Sequence, residues 1–253
     1  MADLAGKEEV EILADKDPGV GLPGRVYLPG YSRTMGPQTH LFAERERLQS
    51  LTWKNFDVKQ LSPTIGAELV GLDLSQELSD EVISEIQQAL WDFKVIFFRN
   101  QEITSDQQIQ FAQRFGELEI HPFLPPNTET PELVRFEKNA NAAGYENQWH
   151  HDVTWRETPS QGAILRAIEI PPIGGDTLFV DANAAYEGLT EEIKGEIDSL
   201  YAIHDFLRAF GRQVPKEKLS EMREMYPLVK HPVVINHHQT GKPLLYVNRI
   251  FVN

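Results

Sequence analysis

The order of its regular segments most constrains what this chain can fold into, because two capped helices come first and short β-rich runs follow. One helix is predicted over LSDEVISEIQQALWDF, with Ser79 as its N-cap and acidic residues in the first turn. A second is predicted over TSDQQIQFAQRFG, which opens with a capping box of Thr104 and Gln107 and stops at Gly116. Both place their apolar residues on one stripe, so each helix should pack against a core.

The remainder of the chain has β-like punctuation. A buried strand is predicted at Val95-Ile96-Phe97-Phe98, and later strands at ELVRFEK, GAILRAIEI, DTLFVD, AIHDFL, PVVIN and LLYVN. Turn segments rich in Pro and Gly separate these runs, with one helical interruption near TEEIKGEIDSL. Helices first and a β-rich body afterwards predict a mainly β sandwich or jelly roll with helices packed outside.

Length and composition favour one large domain and exclude several functions. With 253 residues and 41% hydrophobic content, the chain can bury a substantial core. We predict an N-terminal arm over residues 1–50, which is rich in Pro and Gly, and a folded domain over 51–253. The absence of cysteine excludes disulfides, zinc–thiolate sites and thiol nucleophiles.

Charge and hydropathy set the expected surroundings. Lys+Arg 24 against Asp+Glu 38 gives a net charge of −14, which disfavours nucleic acid and anionic membranes as partners. No apolar run approaches the roughly 20 residues of a membrane span, and the acidic N-terminus lacks a signal-peptide core. We therefore expect a cytoplasmic protein, whose N-terminal arm could serve in a homo-oligomer.

The stretch NQWHHDVTW holds the densest set of candidate metal ligands. If it is a strand, its period of two puts His150 and Asp152 on one face and His151 on the other. One imidazole and one carboxylate are two of the three ligands of the facial triad that binds non-heme Fe(II). A solvated polar strand end is the alternative that the motif alone leaves open.

Several ordered segments together resemble the TauD/TfdA family of Fe(II)- and 2-oxoglutarate-dependent dioxygenases. NQWHHDVTWRETPSQGAIL and IPPIGGDTLFVDANAAYEGL resemble the family's W-H-x-D-x-[ST] and G-G-D-T motifs in order and separation. The likeness extends over about residues 61 to 251. It implies an oxidoreductase with a double-stranded β-helix (jelly roll) and outer helices, which uses Fe(II), 2-oxoglutarate and O2 to hydroxylate a C–H bond.

The resemblance also assigns roles to single residues. His150 and Asp152 are implied as the catalytic iron ligands, and Thr177 as a hydroxyl donor to the far carboxylate of 2-oxoglutarate. His121 matches the histidine that contacts the sulfonate in taurine dioxygenase, and Phe210 and Phe251 match aromatic positions of the substrate pocket. His151 occupies the variable middle position of the motif, so we predict a packing or outer role for it.

These matches predict a small anionic substrate, most simply a sulfonate or alkyl sulfate that loses sulfite or sulfate after hydroxylation. Two departures from taurine dioxygenase, Leu124 and Glu146, keep open a second interpretation, in which the substrate is another carboxylate or an amino-acid derivative. A third interpretation is a non-catalytic relative or an inactive fragment.

The third interpretation rests on residues without a match. The family's third iron ligand, a histidine, and the arginine that binds 2-oxoglutarate have no counterpart in these 253 residues. His204, His231, His237 and His238 match family positions that do not bind metal. We therefore expect an incomplete view of a longer enzyme, in which the C-terminal part of the jelly roll is missing and apolar edges are exposed.

Overall fold

The computed structural model describes residues 39–121, 129–138, 148–212 and 214–252. Its helices are α1 (Thr39–Gln49), α2 (Asp80–Phe93), α3 (Ser105–Gln113), α4 (Ala182–Glu187), α5 (Glu191–Ile197), α6 (Phe206–Phe210) and α7 (Leu219–Met225). Its strands are β1 (Asp57–Gln60), β2 (Ala67–Val70), β3 (Ile96–Phe97), β4 (Tyr201–His204), β5 (Val229–Pro232), β6 (Val234–Asn236) and β7 (Pro243–Leu245). A 3₁₀ turn at Lys216–Lys218 precedes α7.

Residues 40–120 form an N-terminal module around a three-stranded sheet. The strand order is β1-β2-β3, with β1 antiparallel and β3 parallel to β2. Helix α2 buries the apolar stripe that its sequence predicts, including Ile83, Ile86, Ala89 and Phe93. Helix α1 lies within the predicted arm and contributes Leu48 to the same core.

The predicted caps of both helices are present. The Ser79 hydroxyl accepts a hydrogen bond from the Val82 amide at 3.4 Å. At α3, Thr104 accepts from the Gln107 amide at 3.2 Å, and the Gln107 side chain accepts from the Thr104 amide at 2.8 Å. This reciprocal pair is a capping box, so it satisfies two amide groups that the first helical turn would otherwise leave unpaired.

The C-terminal half contains two small antiparallel sheets, β4-β5 and β6-β7. Four predicted segments take the expected kind of structure here: AIHDFL provides the end of β4, PVVIN contains all of β6, LLYVN provides the end of β7, and TEEIKGEIDSL contains helix α5. An aromatic cluster lies beside β4, with Val153, Trp155, Phe206 and Phe251 buried in it. Within the described residues no helix has both the length and the apolar character needed to cross a membrane.

Three predicted strands are wrong, because ELVRFEK, GAILRAIEI and DTLFVD form none in the structure. Backbone groups of a strand need partners on a neighbouring strand, and the described residues offer these segments none. Every residue of 161–180 except Arg166 is exposed, and Ile173 is 91% exposed. The described strands therefore stand in separate sheets of three, two and two rather than in a closed jelly roll.

Candidate metal and substrate site

The H-x-D motif lies on a turn, which corrects the prediction of a strand. Residues 152–155 are in turn conformation, and the Arg156 amide donates to the Val153 carbonyl at 3.1 Å. Val153 has φ 58°, a conformation that a β-branched side chain rarely adopts. Such backbone strain costs on the order of 1–3 kcal/mol and persists only where the surroundings fix it.

The turn nevertheless brings His150 and Asp152 together, as the sequence predicts. His150 Nε2 lies 3.3 Å from Asp152 Oδ1. His150 Nδ1 lies 2.8 Å from the Gln148 carbonyl oxygen, which can only accept a hydrogen bond. The ring hydrogen must therefore be on Nδ1, and this is the arrangement by which metal-binding histidines are usually oriented.

When the ring is neutral, this tautomer leaves a lone pair on His150 Nε2 facing a carboxylate oxygen. Two electron pairs at this distance repel unless a cation, either a proton or a metal ion, lies between them. Two ligands that bind one ion at right angles, each about 2.1 Å away, are about 3 Å apart. The spacing of 3.3 Å therefore fits two adjacent coordination positions of an ion such as Fe(II).

No third metal ligand completes this pair in the described ranges. There, no group of three or more His, Asp or Glu side chains is arranged to hold a metal ion. Thr177 lies outside any strand and is exposed. The turn before it does form as its glycines require, because Gly174 and Gly175 both have φ 77°, which L side chains disfavour.

His151 packs against Tyr246. Its ring lies 5.5 Å from the ring of Tyr246, measured between centroids, at an angle of 49°. This contact is compatible with the packing role predicted from its middle position in the motif.

Ring contacts connect the three candidate substrate residues, with Phe210 between the other two. The His121 and Phe210 rings are 6.0 Å apart, and the Phe210 and Phe251 rings are 6.3 Å apart. Burial lowers the pKa of His121; Arg156 lowers it further, while Glu119 and Asp152 act in the opposite direction. Leu124 and Glu146, on which the second substrate interpretation depends, lie outside the described residues.

An ion pair connects the residues just before His121 to the residues just after the turn that carries Asp152. Arg156, four positions after Asp152, contacts Glu119 with 2.8 Å between the guanidinium nitrogen and the carboxylate oxygen. The Ser160 hydroxyl donates to the other oxygen of Glu119 at 2.8 Å. Both partners of Glu119 therefore come from the segment that follows the motif, and they hold the candidate substrate residue near the candidate metal ligands.

A network of polar side chains contacts the turn at Thr154 and Arg156. His231 Nε2 contacts the carbonyl oxygens of Thr154 and Arg156, each at 3.0 Å. His204 Nδ1 lies 2.9 Å from the Thr154 hydroxyl, to which Asn248 also donates at 3.2 Å. Burial, with a smaller contribution from His231, lowers the pKa of His204 to about 4, so its ring is neutral at neutral pH.

Sequence reasoning considered His204 and His231 only as metal ligands and missed this network. One signal was present, since alternation along β4 places Ala202 and His204 on the same inward side. The partner, Thr154, is 50 positions earlier in the sequence, so no local pattern could have identified it.

Comparison with known proteins gives a consistent family assignment. The profile of the family described as taurine catabolism dioxygenase TauD, TfdA family, matches residues 57–253. An alkylsulfatase of Acinetobacter baylyi is 34% identical over 206 residues, which cover 78% of this chain and 64% of that protein. An alpha-ketoglutarate-dependent sulfate ester dioxygenase of Pseudomonas putida is 35% identical over 207 residues, with 77% and 68% covered.

Solved structures agree. A taurine dioxygenase from Burkholderia xenovorans superposes with a TM-score of 0.66 at 33% identity, covering 79% of this chain and 65% of that one. The chain thus spans about two thirds of the length of the relatives that it matches. The family resemblance of the motifs is confirmed, and the chain belongs to the taurine catabolism dioxygenase TauD, TfdA family.

Proposed function

We propose that this chain serves Fe(II)- and 2-oxoglutarate-dependent hydroxylation of a sulfonate or alkyl sulfate. The observation that carries the proposal is the pair His150 Nε2 and Asp152 Oδ1, which lie 3.3 Å apart while Nδ1 of the same ring faces the Gln148 carbonyl oxygen. At this spacing the pair can hold a metal cation, and one imidazole with one carboxylate suits Fe(II) in a facial site. Family membership makes iron the expected ion.

Each residue of the site has a defined task in this proposal. His150 and Asp152 would hold Fe(II), and Thr177 would donate its hydroxyl hydrogen to the far carboxylate of 2-oxoglutarate. When bound, the metal and 2-oxoglutarate supply the activation of O2 that no side chain can perform. The overall reaction converts 2-oxoglutarate, O2 and a substrate C–H into succinate, CO2 and C–OH.

His121, Phe210 and Phe251 would bind the substrate. The two aromatic rings suit an alkyl chain, while the imidazole suits an anionic head group. His121 has a lowered pKa in the protein without ligand, but a neighbouring sulfate would favour its charged form. Hydroxylation of the carbon that carries the sulfate oxygen gives an adduct that releases sulfate and an aldehyde, whereas a sulfonate would release sulfite.

The names of the relatives support a sulfur-containing substrate, since one is an alkylsulfatase and another a sulfate ester dioxygenase. A different small acid remains the alternative within the same family. The proposed cytoplasmic location, a jelly roll completed around the site and a homo-oligomeric state are further parts of this proposal.

The first test is an anaerobic visible spectrum of the purified chain with Fe(II), before and after 2-oxoglutarate. A charge-transfer band that His150→Ala abolishes and His238→Ala leaves intact is the expected result, because His238 is exposed in the loop between β6 and β7. Turnover with an alkyl sulfate should then yield succinate and sulfate in equal amounts. Succinate without sulfur release would favour the alternative substrate, and the absence of both band and turnover would contradict the proposal.

A further inference from the structure

The backbone of the turn that carries Asp152 is hydrogen-bonded by His231, which is not one of the candidate metal ligands. His231 lies on β5, which pairs with β4 in register Ala202↔His231. Its Nε2 contacts the carbonyl oxygens of Thr154 and Arg156, 3.0 Å from each. Thr154 is in the turn and Arg156 directly follows it, so one side chain holds two carbonyls at the end of the turn.

The tautomer of His231 follows from its partners. Carbonyl oxygens only accept hydrogen bonds, so Nε2 must carry a hydrogen that the two oxygens share. A nitrogen used in this way has no lone pair for a metal ion. His231 therefore cannot serve as a ligand through Nε2 while the turn keeps this conformation.

The same turn is fixed on its other side by Asn248. Its Oδ1 accepts from the amides of Ile250 and Phe251, at 3.1 and 2.9 Å. The amide nitrogen must then face the Thr154 hydroxyl, to which it donates at 3.2 Å. Thr154 is 1% exposed, so its backbone and side chain both depend on protein partners for their hydrogen bonds.

These contacts explain how a strained turn can persist next to an exposed ligand. Val153, with φ 58°, directly follows Asp152, whose side chain is 71% exposed and fixed by little around it. The backbone sets where the side chain of Asp152 begins, and the hydrogen bonds to the carbonyls of Thr154 and Arg156 restrain that backbone.

We infer that His231 is a positioning residue, which holds the carbonyls of Thr154 and Arg156 and thereby directs Asp152 towards His150. This inference rests on the proposed function, because it concerns the geometry of the same metal pair. It requires that the Nε2–H of His231, rather than its size, keeps the turn in place.

The test compares three variants of the whole chain. His231→Leu removes the donor, and His231→Gln keeps an amide hydrogen near the position of Nε2. His238→Leu is the matched control, since it makes the same change at an exposed histidine in the loop of the β6-β7 hairpin. Two quantities are measured for each: amide hydrogen exchange of residues 150–156, and the Mn(II) affinity from electron paramagnetic resonance of the free ion.

We expect His231→Leu to raise exchange in residues 150–156 at least tenfold, with no change in α2, and to weaken Mn(II) binding about tenfold. His231→Gln should recover both to within about threefold, which a merely space-filling role would not predict. Unchanged exchange in His231→Leu, or no recovery in His231→Gln, would overturn the inference. Faster amide hydrogen exchange in His231→Leu with an unchanged Mn(II) affinity would also overturn the inference.

The two proposals can fail separately. If the unaltered chain binds no Mn(II), the proposed function fails, while the exchange data still decide whether His231 holds the turn. If His231→Leu does not fold, the imidazole tautomer of the unaltered chain gives the answer by ¹⁵N NMR. The Nε2–H form supports the inference, and the Nδ1–H form would contradict it.

Discussion

The N-terminal module and the stretch 161–180 are both rich in apolar residues, yet they use them in opposite ways. In the module, Ile86 on the buried face of α2 is 0% exposed. In the stretch, Ile168 is 77% and Ile173 is 91% exposed. Composition therefore does not separate them, and the difference lies in the kind of structure that each would have to form.

A helix closes its own hydrogen bonds and needs a partner only for its apolar face, whereas a strand needs a partner for its backbone as well. The α2 and α3 segments carry caps and stripes within 16 residues, so their structure is encoded locally. The stretch 161–180 has strand propensity but, within the described residues, no neighbouring strand. An apolar segment becomes part of a core only where the fold supplies a surface, and for a strand also a neighbouring strand, for it to pack against.

The largest expected contrast comes from removing one side chain in each region. Ile86→Ala should lower the free energy of unfolding by roughly 2–5 kcal/mol, because it leaves a cavity in a packed core. Ile173→Ala should change that free energy by less than about 0.5 kcal/mol. Urea unfolding followed by circular dichroism measures both, and a comparable loss at Ile173 would show that the stretch is buried in solution.

Acid should weaken the module through Glu44. Partial burial alone would raise the pKa of this carboxyl, but hydrogen bonds from Arg47 and Lys242 outweigh it and lower the pKa to about 2. The stability that a lowered pKa provides is present above the ordinary value of 4.5 and is lost as the pH falls towards 2. Because Arg47 is partly solvated, we expect a loss on the order of 2 kcal/mol.

Unfolding curves between pH 5 and pH 2 measure this effect, and Glu44→Gln is the variant that isolates it. The variant should be less stable at pH 6 and should depend less steeply on pH over the acid range. Equal slopes in the two proteins would mean that other carboxylates cause the acid sensitivity.

A pair of threonines makes a finer comparison. Thr104→Ala removes the cap of α3 and should lower the free energy of unfolding by about 1 kcal/mol. Thr104→Ser should retain most of it, because serine also accepts from the Gln107 amide. Thr177→Ala, at an exposed position in the stretch, should lie within about 0.5 kcal/mol of the unaltered protein. A destabilising Thr177→Ala would indicate that this threonine caps or pairs with another segment.

The smallest change in stability is expected for charges placed in the stretch. Leu165→Asp with Ile168→Asp should leave the free energy of unfolding within about 0.5 kcal/mol, since neither side chain is buried. Binding of the apolar dye ANS should fall, because these residues form part of an exposed apolar surface. Gln161→Asp adds one negative charge at a polar position, without removing an apolar side chain, and should not change dye binding.

Features whose cause lies within a short segment were predicted well from the sequence, and features that depend on distant residues were not. The caps at Ser79 and Thr104 and the stripe of α2 involve residues within one helix, and these predictions are confirmed. The pairing of His150 with Asp152 is also present, but on a turn rather than on the predicted strand. Their proximity, with His150 Nε2 3.3 Å from Asp152 Oδ1, therefore does not depend on a strand.

The turn itself could not be predicted. Its conformation depends on His231 and Asn248, which lie 77 and 94 positions after Thr154. The exposed stretch shows the same limit, because the strands predicted there are wrong and no strand among the described residues pairs with it. Long-range hydrogen bonds decide both outcomes, and no window of sequence contains them.

The contact between Glu44 and Lys242 also bears on how the chain reaches its structure. The two residues are 198 positions apart, and their side chains meet at 2.7 Å. Closing so long a loop costs chain entropy, so contacts of this kind tend to form after local helices and hairpins. Late contacts are mostly absent from the folding transition state, and their loss accelerates unfolding more than it slows folding. The Glu44–Lys242 contact should therefore set how long the folded chain survives rather than how quickly it forms.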